Sequence, residues 1–155
     1  MSSSRIVAEI QQTKPFASIE EETVVAMMKT MDHMRRLKAG AFDEDLTEQQ
    51  YNVLRILRGA GKEGIPTLTV AERMIERTPG ITRLMDRLET KGLVKRDRPS
   101  TDRRQVYCFI TKSGLDLLSR LDPEVELSAK RAMKKLTKGE MQTLLAILEK
   151  IRDAN

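Results

Sequence analysis

The chain has 155 residues and a formal net charge of +5 at pH 7, and it contains one cysteine, one histidine and no tryptophan. A single cysteine excludes an internal disulfide framework and suits a reducing compartment, while a single histidine argues against a histidine-built metal site or catalytic triad. No segment reaches the roughly 20 apolar residues that span a bilayer, and the start lacks the apolar stretch of a secretory signal. We therefore expect one cytoplasmic domain without metal or cofactor.

The first predicted helix covers residues 19–38. It begins with three glutamates and ends among arginines and a lysine, the charge order that the helix dipole favours. Its apolar residues recur three and four positions apart, and four of them are methionines. This face packs against a core or an oligomer partner, or it forms an adaptable ligand wall, because methionine fits irregular shapes. Before it, residues 1–18 are polar and Pro15 discourages a continuous helix, which predicts a loose arm.

The next predicted elements are two helices joined by a glycine-rich turn. Thr47 and Gln50 form a capping box, and the helix that follows ends in the GAGKEG segment of residues 59–64. Residues 65–67 read as a short extended segment. A small helix then begins at Thr67 or Thr69 and runs to about Arg77, and the pattern favours neither threonine as its cap.

A helix and a hairpin are predicted over residues 78–110. Thr78 and Pro79 are typical of a helix start, as cap and first helical residue, and Gly92 is typical of the position just past a helix end. Residues 93–97 predict a strand, residues 98–104 a turn and residues 105–110 a return strand. Alternation along the return strand puts Cys108 on its inward face.

Two more helices complete the chain. Thr111 caps the first, within which Pro123 should produce a kink or a break because proline removes a helical hydrogen bond. Thr137 opens the second with another capping box. The expected fold is mainly α with a small β-hairpin wing: a winged helix-turn-helix lobe over residues 46–111 and dimerisation helices over residues 16–38 and 112–155. The outer helices carry more apolar face than one small domain can cover, which predicts a dimer.

The net positive charge comes from one segment. Residues 73–104 carry ten basic and five acidic side chains, whereas the rest of the chain carries 18 of each. Clustered basic residues on a helix and an adjacent hairpin predict a surface for double-stranded DNA. The alternative, a solvated charged face, would mix the two signs evenly.

Four motifs, which follow one another along the chain in the same order as in the family, resemble the MarR family of transcriptional regulators. They are GLVKR at residues 92–96, DRR at 102–104, ITKSG at 110–114 and the helix ITRLMDRLE at 81–89, with LTEQQ at 46–50 similar to the opening of an earlier helix. The similarity covers about residues 20–153. It implies a homodimeric DNA-binding regulator that a small molecule or an oxidant releases from a pseudo-palindromic operator. The peroxide sensors of the family carry a reactive cysteine near the N-terminus, and this chain has none there.

The second helix of a helix-turn-helix places its N-terminal residues in the major groove. Arg83 is the candidate for reading guanine, since its planar guanidinium matches O6 and N7, and Arg87 meets phosphates or pairs with a neighbouring acid. A carboxylate two residues before Arg104 can pin that arginine in the wing, and the resemblance assigns Arg104 to a minor groove with Asp102 as its orienter. The full set of expected DNA-binding residues is Thr78, Gly80, Thr82, Arg83, Arg87, Arg96, Arg98, Asp102, Arg103 and Arg104.

The family resemblance also implies an effector pocket between the dimerisation helices and the DNA-binding lobe. The candidates for binding a small aromatic or phenolic effector are Met31, His33, Met34, Arg36 and Tyr51. An architectural DNA-binding protein without any effector is the alternative, since it needs the same basic surface and no pocket. An enzyme is disfavoured because the sequence has no constellation of acid, base and nucleophile.

Overall fold

The computed structural model describes residues 5–42, 46–98 and 105–153. Its helices are α1 (Arg5–Glu9), α2 (Ile19–Ala39), α3 (Glu48–Ala60), α4 (Thr67–Arg73), α5 (Ile81–Thr90), α6 (Lys112–Met133) and α7 (Lys138–Arg152), with a 3₁₀ turn at Gly61–Glu63. Its strands are β1 (Ile65–Pro66), β2 (Val94–Asp97) and β3 (Tyr107–Ile110). This order confirms a mainly α fold with a small β wing. Within the described ranges, no helix is long and apolar enough to cross a membrane.

The chain divides into two compact units. One is Ala41–Leu127, and the other joins the segment up to Gly40 to the segment from Ser128. In the first unit, α3, α5 and the sheet share an apolar core whose fully buried side chains include Leu54, Met85 and Leu88. Burying one such side chain stabilises a fold by about 1.5–3 kcal/mol, so the apolar face of α5 holds this helix in place while its other face stays in solvent.

The sheet has the strand order β1-β3-β2, and both pairings are antiparallel. Cys108 lies at the centre of β3, paired with Ile65 on one side and Arg96 on the other, and it is fully buried. The predicted hairpin and the inward position of Cys108 are therefore confirmed. The turn between β2 and β3 includes residues 99–104, which lie outside the described residues.

A junction around Thr111 joins the end of α5 to the start of α6. The Thr111 hydroxyl donates to the Gly92 carbonyl oxygen at 2.7 Å and accepts from the Gly114 N–H at 3.1 Å. Gly92 has φ +70°, a conformation that glycine adopts without strain. A Cβ on Gly114 would lie 2.5 Å from the Leu93 carbonyl oxygen, so only glycine fits there. The predicted cap at Thr111 and the helix end at Gly92 are confirmed.

Both predicted capping boxes are present. The Thr47 N–H donates to the Gln50 side chain at 3.1 Å and the Gln50 N–H donates to the Thr47 hydroxyl at 3.2 Å. Thr137 and Glu140 repeat the arrangement at the start of α7. Each side chain satisfies an N–H that the helix itself leaves unpaired.

The predicted start of α5 was wrong by about two residues. Gly80 takes the cap position of α5, and the Thr78 hydroxyl donates to the Glu76 carbonyl oxygen at 3.1 Å. Threonine can bond locally to the backbone in this way, which favours a turn over a helix. The small helix α4 also ends earlier than Arg77, because Asn52 on α3 accepts from the Ile75 N–H at 2.9 Å and draws the chain out of the helix. Neither Thr67 nor Thr69 caps α4, since Pro66 holds that position.

Of the kink or break predicted at Pro123, the break is wrong, because α6 continues from Lys112 to Met133, and the kink stays a prediction. The turn before the proline is tied to α3: Asp122 accepts from the Tyr51 hydroxyl at 2.7 Å and forms an ion pair with Arg58. Leu118 and Leu121 bury on the same helix. These tertiary contacts offset the roughly 3 kcal/mol that an interior proline costs.

In the other unit, the segment expected to be a loose arm contains α1, whose Ile6 is buried. The long helices of this unit expose apolar side chains along their lengths. On α2 these include Met28 and Met31, and on α7 they include Leu145 and Ile147. A single copy of the chain therefore leaves both helices with uncovered apolar surface.

Removing the Tyr51 hydroxyl tests the tie between α3 and α6. Tyr51→Phe should destabilise the fold by about 1–2 kcal/mol, because Asp122 loses a hydrogen bond in a half-buried place. Tyr107→Phe, at the second of the two tyrosines, is the control and should leave the melting temperature nearly unchanged. Thermal unfolding of the two variants at pH 7 gives the comparison.

The same tie predicts how stability changes with pH. Although burial raises the pKa of Asp122, hydrogen bonds from Arg58 and Tyr51 outweigh it and hold the pKa below its usual value. A lowered folded pKa adds stability that is present above about pH 4 and lost as the pH falls through the folded pKa. Tyr51→Phe should therefore lose less stability than wild type on acidification, and an identical acid dependence would contradict the tie.

Candidate nucleic-acid interface

The outward face of α5 carries the residues expected to read bases. Leu84, Met85 and Leu88 are buried, which turns Thr82 and Arg83 into solvent in the first turn of the helix. Gly80 is exposed at the cap position, and Thr78 lies half-buried in the turn before it. Four of the expected DNA-binding residues therefore lie together at one end of α5.

Two arginines of this region differ in their surroundings. Arg96 on β2 is bound by two carboxylates of α5, with Nε donating to Glu89 at 2.9 Å and Nη2 contacting Asp86 at 2.6 Å. Within residues 5–42, 46–98 and 105–153, Arg83 and Arg87 form no ion pair. The two neighbouring acids that could have paired with Arg87, Asp86 and Glu89, are both bound by Arg96 instead.

The wing residues are only partly described. Arg98 is exposed after β2, and its backbone N–H donates to the Asp97 carboxylate at 2.7 Å. Asp102, Arg103 and Arg104 lie outside the described residues, and their expected roles stay predictions.

An open cleft of about 550 Å³ lies between the first turn of α4, the first turn of α5 and the wing strands. Thr82 and Arg96 line it, together with Gln105 and with Leu68, which is 74% exposed. Sequence reasoning missed Leu68 and Gln105. A leucine between two threonines at the start of α4 is the sequence signal that could have indicated Leu68.

A model of the MarR family matches residues 46–106. A MarR transcription factor from Planctomyces limnophilus is 37% identical, with a TM-score of 0.67, and the match covers 87% of this chain and 98% of that chain. The chain belongs to the MarR family. This membership confirms the winged helix-turn-helix fold, and it makes the chain a DNA-binding transcriptional regulator.

Other relatives agree with the family assignment. The homoprotocatechuate degradative operon repressor of Escherichia coli is 33% identical over 105 residues, which cover 68% of this chain and 70% of that protein. The regulator PcaV from Streptomyces coelicolor, solved with its natural ligand, has a TM-score of 0.79 at 21% identity and covers 91% of this chain and 99% of that chain. The second likeness shows a shared fold.

The expected effector residues of this MarR-family chain fall in two units. Met31, His33, Met34 and Arg36 lie on α2, where Met31 and His33 are exposed and Arg36 pairs with Asp32 at 2.7 Å. Tyr51 lies on α3 in the other unit, buried against the Phe42 ring, with ring centroids 5.2 Å apart. Burial and the hydrogen bond to Asp122 raise the pKa of Tyr51 to about 12, so its hydroxyl stays protonated and acts as a donor.

A second cleft, of about 380 Å³, lies on the outer side of the wing sheet. Its cationic residues are Arg58, Lys62 and Lys95, and its apolar surface comes from Phe109, Ile110 and Leu115. The Lys95 ammonium lies 5.4 Å from the centre of the Phe109 ring. Among the described residues that line this cleft, none is acidic. The sequence analysis did not predict this cleft, although the alternation of the hairpin, which pairs Lys95 with Phe109, is the signal that could have indicated it.

Cys108 has no feature of a reactive thiol. Burial raises the pKa of the Cys108 thiol, and the hydrogen bond shared with Thr67 at 3.2 Å and the charge of Arg96 only partly oppose this. Because the thiolate is the form that reacts with peroxide, a buried thiol with a raised pKa reacts slowly.

We therefore expect hydrogen peroxide to leave DNA binding by this MarR-family regulator unchanged. The measurement is a DNA titration of wild type and Cys108→Ser before and after peroxide treatment, with the number of free thiols counted in the folded and denatured protein. Release of DNA from oxidised wild type, absent in Cys108→Ser, would show that Cys108 is a sensor after all.

Proposed function

We propose that this chain is a homodimeric repressor that reads a pseudo-palindromic operator with α5 and leaves it when a small aromatic acid binds. In this proposal residues 46–111 form the DNA-binding lobe, and residues 16–38 and 112–155 form the dimerisation helices. The observation that carries it is Arg83, an exposed cation on the first turn of α5 that forms no ion pair with any described residue. A guanidinium in that place is free to bind guanine.

The cleft between α5 and the wing supports this mode of binding. A winged helix-turn-helix places its helix in the major groove and its wing in the neighbouring minor groove, so one sugar-phosphate strand has to pass between them. A cleft of about 550 Å³ in that position has room for such a strand. Arg98, Asp102, Arg103 and Arg104 then belong to the wing contacts, with Arg104 in the minor groove, where a narrow groove attracts arginine.

Dimerisation follows from the exposed apolar faces of α2 and α7. Val24, Met28 and Ile147 are each about half exposed or more in a single chain, and a patch of this kind marks a protein interface. Two lobes related by a two-fold axis read half-sites whose centres lie about 10 bp apart. A constitutive architectural DNA-binding protein is the alternative, and an effector distinguishes the two.

An aromatic acid is the effector class that the cleft on the outer side of the wing favours. Its volume of about 380 Å³ lies within the range of small-molecule sites. The cations Lys62 and Lys95 match a carboxylate, whereas Arg58 is already paired with Asp122, and Phe109 offers a ring for stacking. The Escherichia coli relative represses an operon for degradation of homoprotocatechuate, which is itself an aromatic acid. The residues expected from the family resemblance, Met31, His33, Met34 and Arg36 on α2 and Tyr51 on α3, are the second candidates, since they too include a cation and an aromatic ring.

Arg83→Ala tests base reading. It should weaken binding to a palindromic duplex by about 1–3 kcal/mol and relax specificity at one base pair in each half-site. Arg120→Ala, an exposed arginine on α6, removes the same charge as a control and should preserve the sequence preference. Titrations against a set of single-base variants of the operator measure both. A uniform loss over all duplexes, including scrambled ones, would move Arg83 from the bases to the phosphates.

The two effector sites predict different mutants. A panel of phenolic and benzoic acids should raise the melting temperature of wild type and release DNA. If the wing cleft binds the acid, Lys95→Gln should raise the effector concentration that gives half of the maximal response by about tenfold or more. If α2 binds the acid, Arg36→Gln should have this effect instead. No shift with any acid, and DNA binding that ignores all of them, would favour the architectural alternative.

A further inference from the structure

Arg96 connects strand β2 of the wing to helix α5 through a set of directed hydrogen bonds. Its backbone N–H donates to Glu89 Oε1 at 3.1 Å, its Nε donates to Glu89 Oε2 at 2.9 Å, and its Nη2 contacts both Glu89 and Asp86. The side chain of Arg96 is only 25% exposed. Both carboxylates lie on α5, and Arg96 lies on β2. The guanidinium therefore bridges two elements that the DNA has to meet together.

We propose that Arg96 is a positioning residue, which fixes the angle between α5 and the wing so that both fit adjacent grooves at once. The inference rests on the proposed reading of bases by α5, and it replaces the expectation that Arg96 is itself a DNA-binding residue. A planar guanidinium held by two carboxylates has a defined orientation. Arg96, Glu89 and Asp86 thus form a clamp between β2 and α5. Because Glu89 also accepts from the Arg96 backbone N–H, this clamp holds the strand itself as well as the side chain.

The charges of this clamp separate the two roles of Arg96. Asp86 and Glu89 are acids in the most basic segment of the chain, where they repel phosphates within a Debye length of about 8–10 Å. If charge alone mattered, removing either acid would tighten DNA binding. If the acids hold Arg96 and thereby the wing, removing them weakens binding although the protein becomes more positive. The expected signs are opposite.

The fold does not depend on this clamp alone. Leu88 and Val94 are buried in the same core, and β2 stays paired with β3 along its length, with Arg96 opposite Cys108. Variants of Arg96, Asp86 and Glu89 should therefore fold, with modest changes in melting temperature, since partly exposed ion pairs contribute about 0–1 kcal/mol.

The first experiment measures the affinity of Glu89→Gln and Asp86→Asn for the operator at fixed salt. We expect each to bind about tenfold more weakly than wild type, a size typical of residues in direct contact. Asp97→Asn is the matched control, because it removes one negative charge from the residue that follows Arg96 on β2. The Asp97 carboxylate accepts from the Arg98 N–H and belongs to no contact of the clamp. This variant should bind DNA as tightly as wild type or more tightly. Tighter binding by Glu89→Gln and Asp86→Asn would overturn the clamp.

The second experiment replaces Arg96. Arg96→Lys keeps the charge and loses the planar fork, so the clamp predicts a loss of affinity close to that of Arg96→Gln and an unchanged slope of log affinity against log salt. A direct phosphate contact predicts that Arg96→Lys binds like wild type and that Arg96→Gln lowers the slope by about one. Combining Arg96→Gln with Glu89→Gln should add no further loss if the two act as one unit, and additive effects would overturn the clamp.

Two controls keep the outcomes distinct. Thermal unfolding shows whether each variant is folded at the assay temperature, and if Arg96→Gln is not, Arg96→Lys decides. A wild-type protein that binds scrambled and palindromic duplexes equally would overturn the proposed base reading, and the positioning role with it. A wild-type protein that binds selectively, with variants that follow net charge alone, would overturn the positioning role and leave the proposed function standing.

Discussion

The hydroxyl of Thr111 forms the polar junction on which the connection between α5, the wing and α6 depends. It donates to the carbonyl oxygen of Gly92, just past the end of α5, and accepts from the N–H of Gly114 in the first turn of α6. The Thr111 N–H also donates to the Leu93 carbonyl oxygen at 3.0 Å. Thr111 thus joins the end of α5, the start of the wing and the first turn of α6. The motif residues by which the chain resembles its family are, at these positions, parts of a structural junction.

Around this junction the lobe is held by apolar burial on one side and by directed polar bonds on the other. The inward face of α5 is fixed by close packing, which is strong but allows small rotations. The Arg96 clamp to Glu89 and Asp86 adds direction, because a bidentate guanidinium has one preferred orientation. Basic residues and the acids that bind one of them are therefore interleaved in one segment, residues 73–104. The net charge of the segment therefore gives no information on which of its cations are bound by acids.

The errors of the sequence-based predictions share a cause. Thr78 and Pro79 are typical of a helix start, and Pro123 is typical of a helix break, so each prediction was locally sound. In both places a longer-range or competing contact decides: Thr78 bonds back to Glu76, and Asp122 is bound to α3 just before Pro123. Helix propensities amount to fractions of a kcal/mol up to about 3 kcal/mol for proline, and a few tertiary contacts exceed them.

The sequence by itself determined the element order, the two capping boxes, the inward face of Cys108, the family and the position of the basic segment over residues 73–104. Each of these depends on residues a few positions apart, and their spacing is visible in a linear chain. Only the tertiary structure decided which cations are free and which are engaged, since Arg83 and Arg96 look alike in sequence. It also brought Arg58 and Asp122, 64 positions apart, into one ion pair, and it assembled Lys95 with Arg58 around one cleft. Contacts between distant residues depend on how helices and strands pack, and this packing cannot be inferred from the spacing of residues a few positions apart.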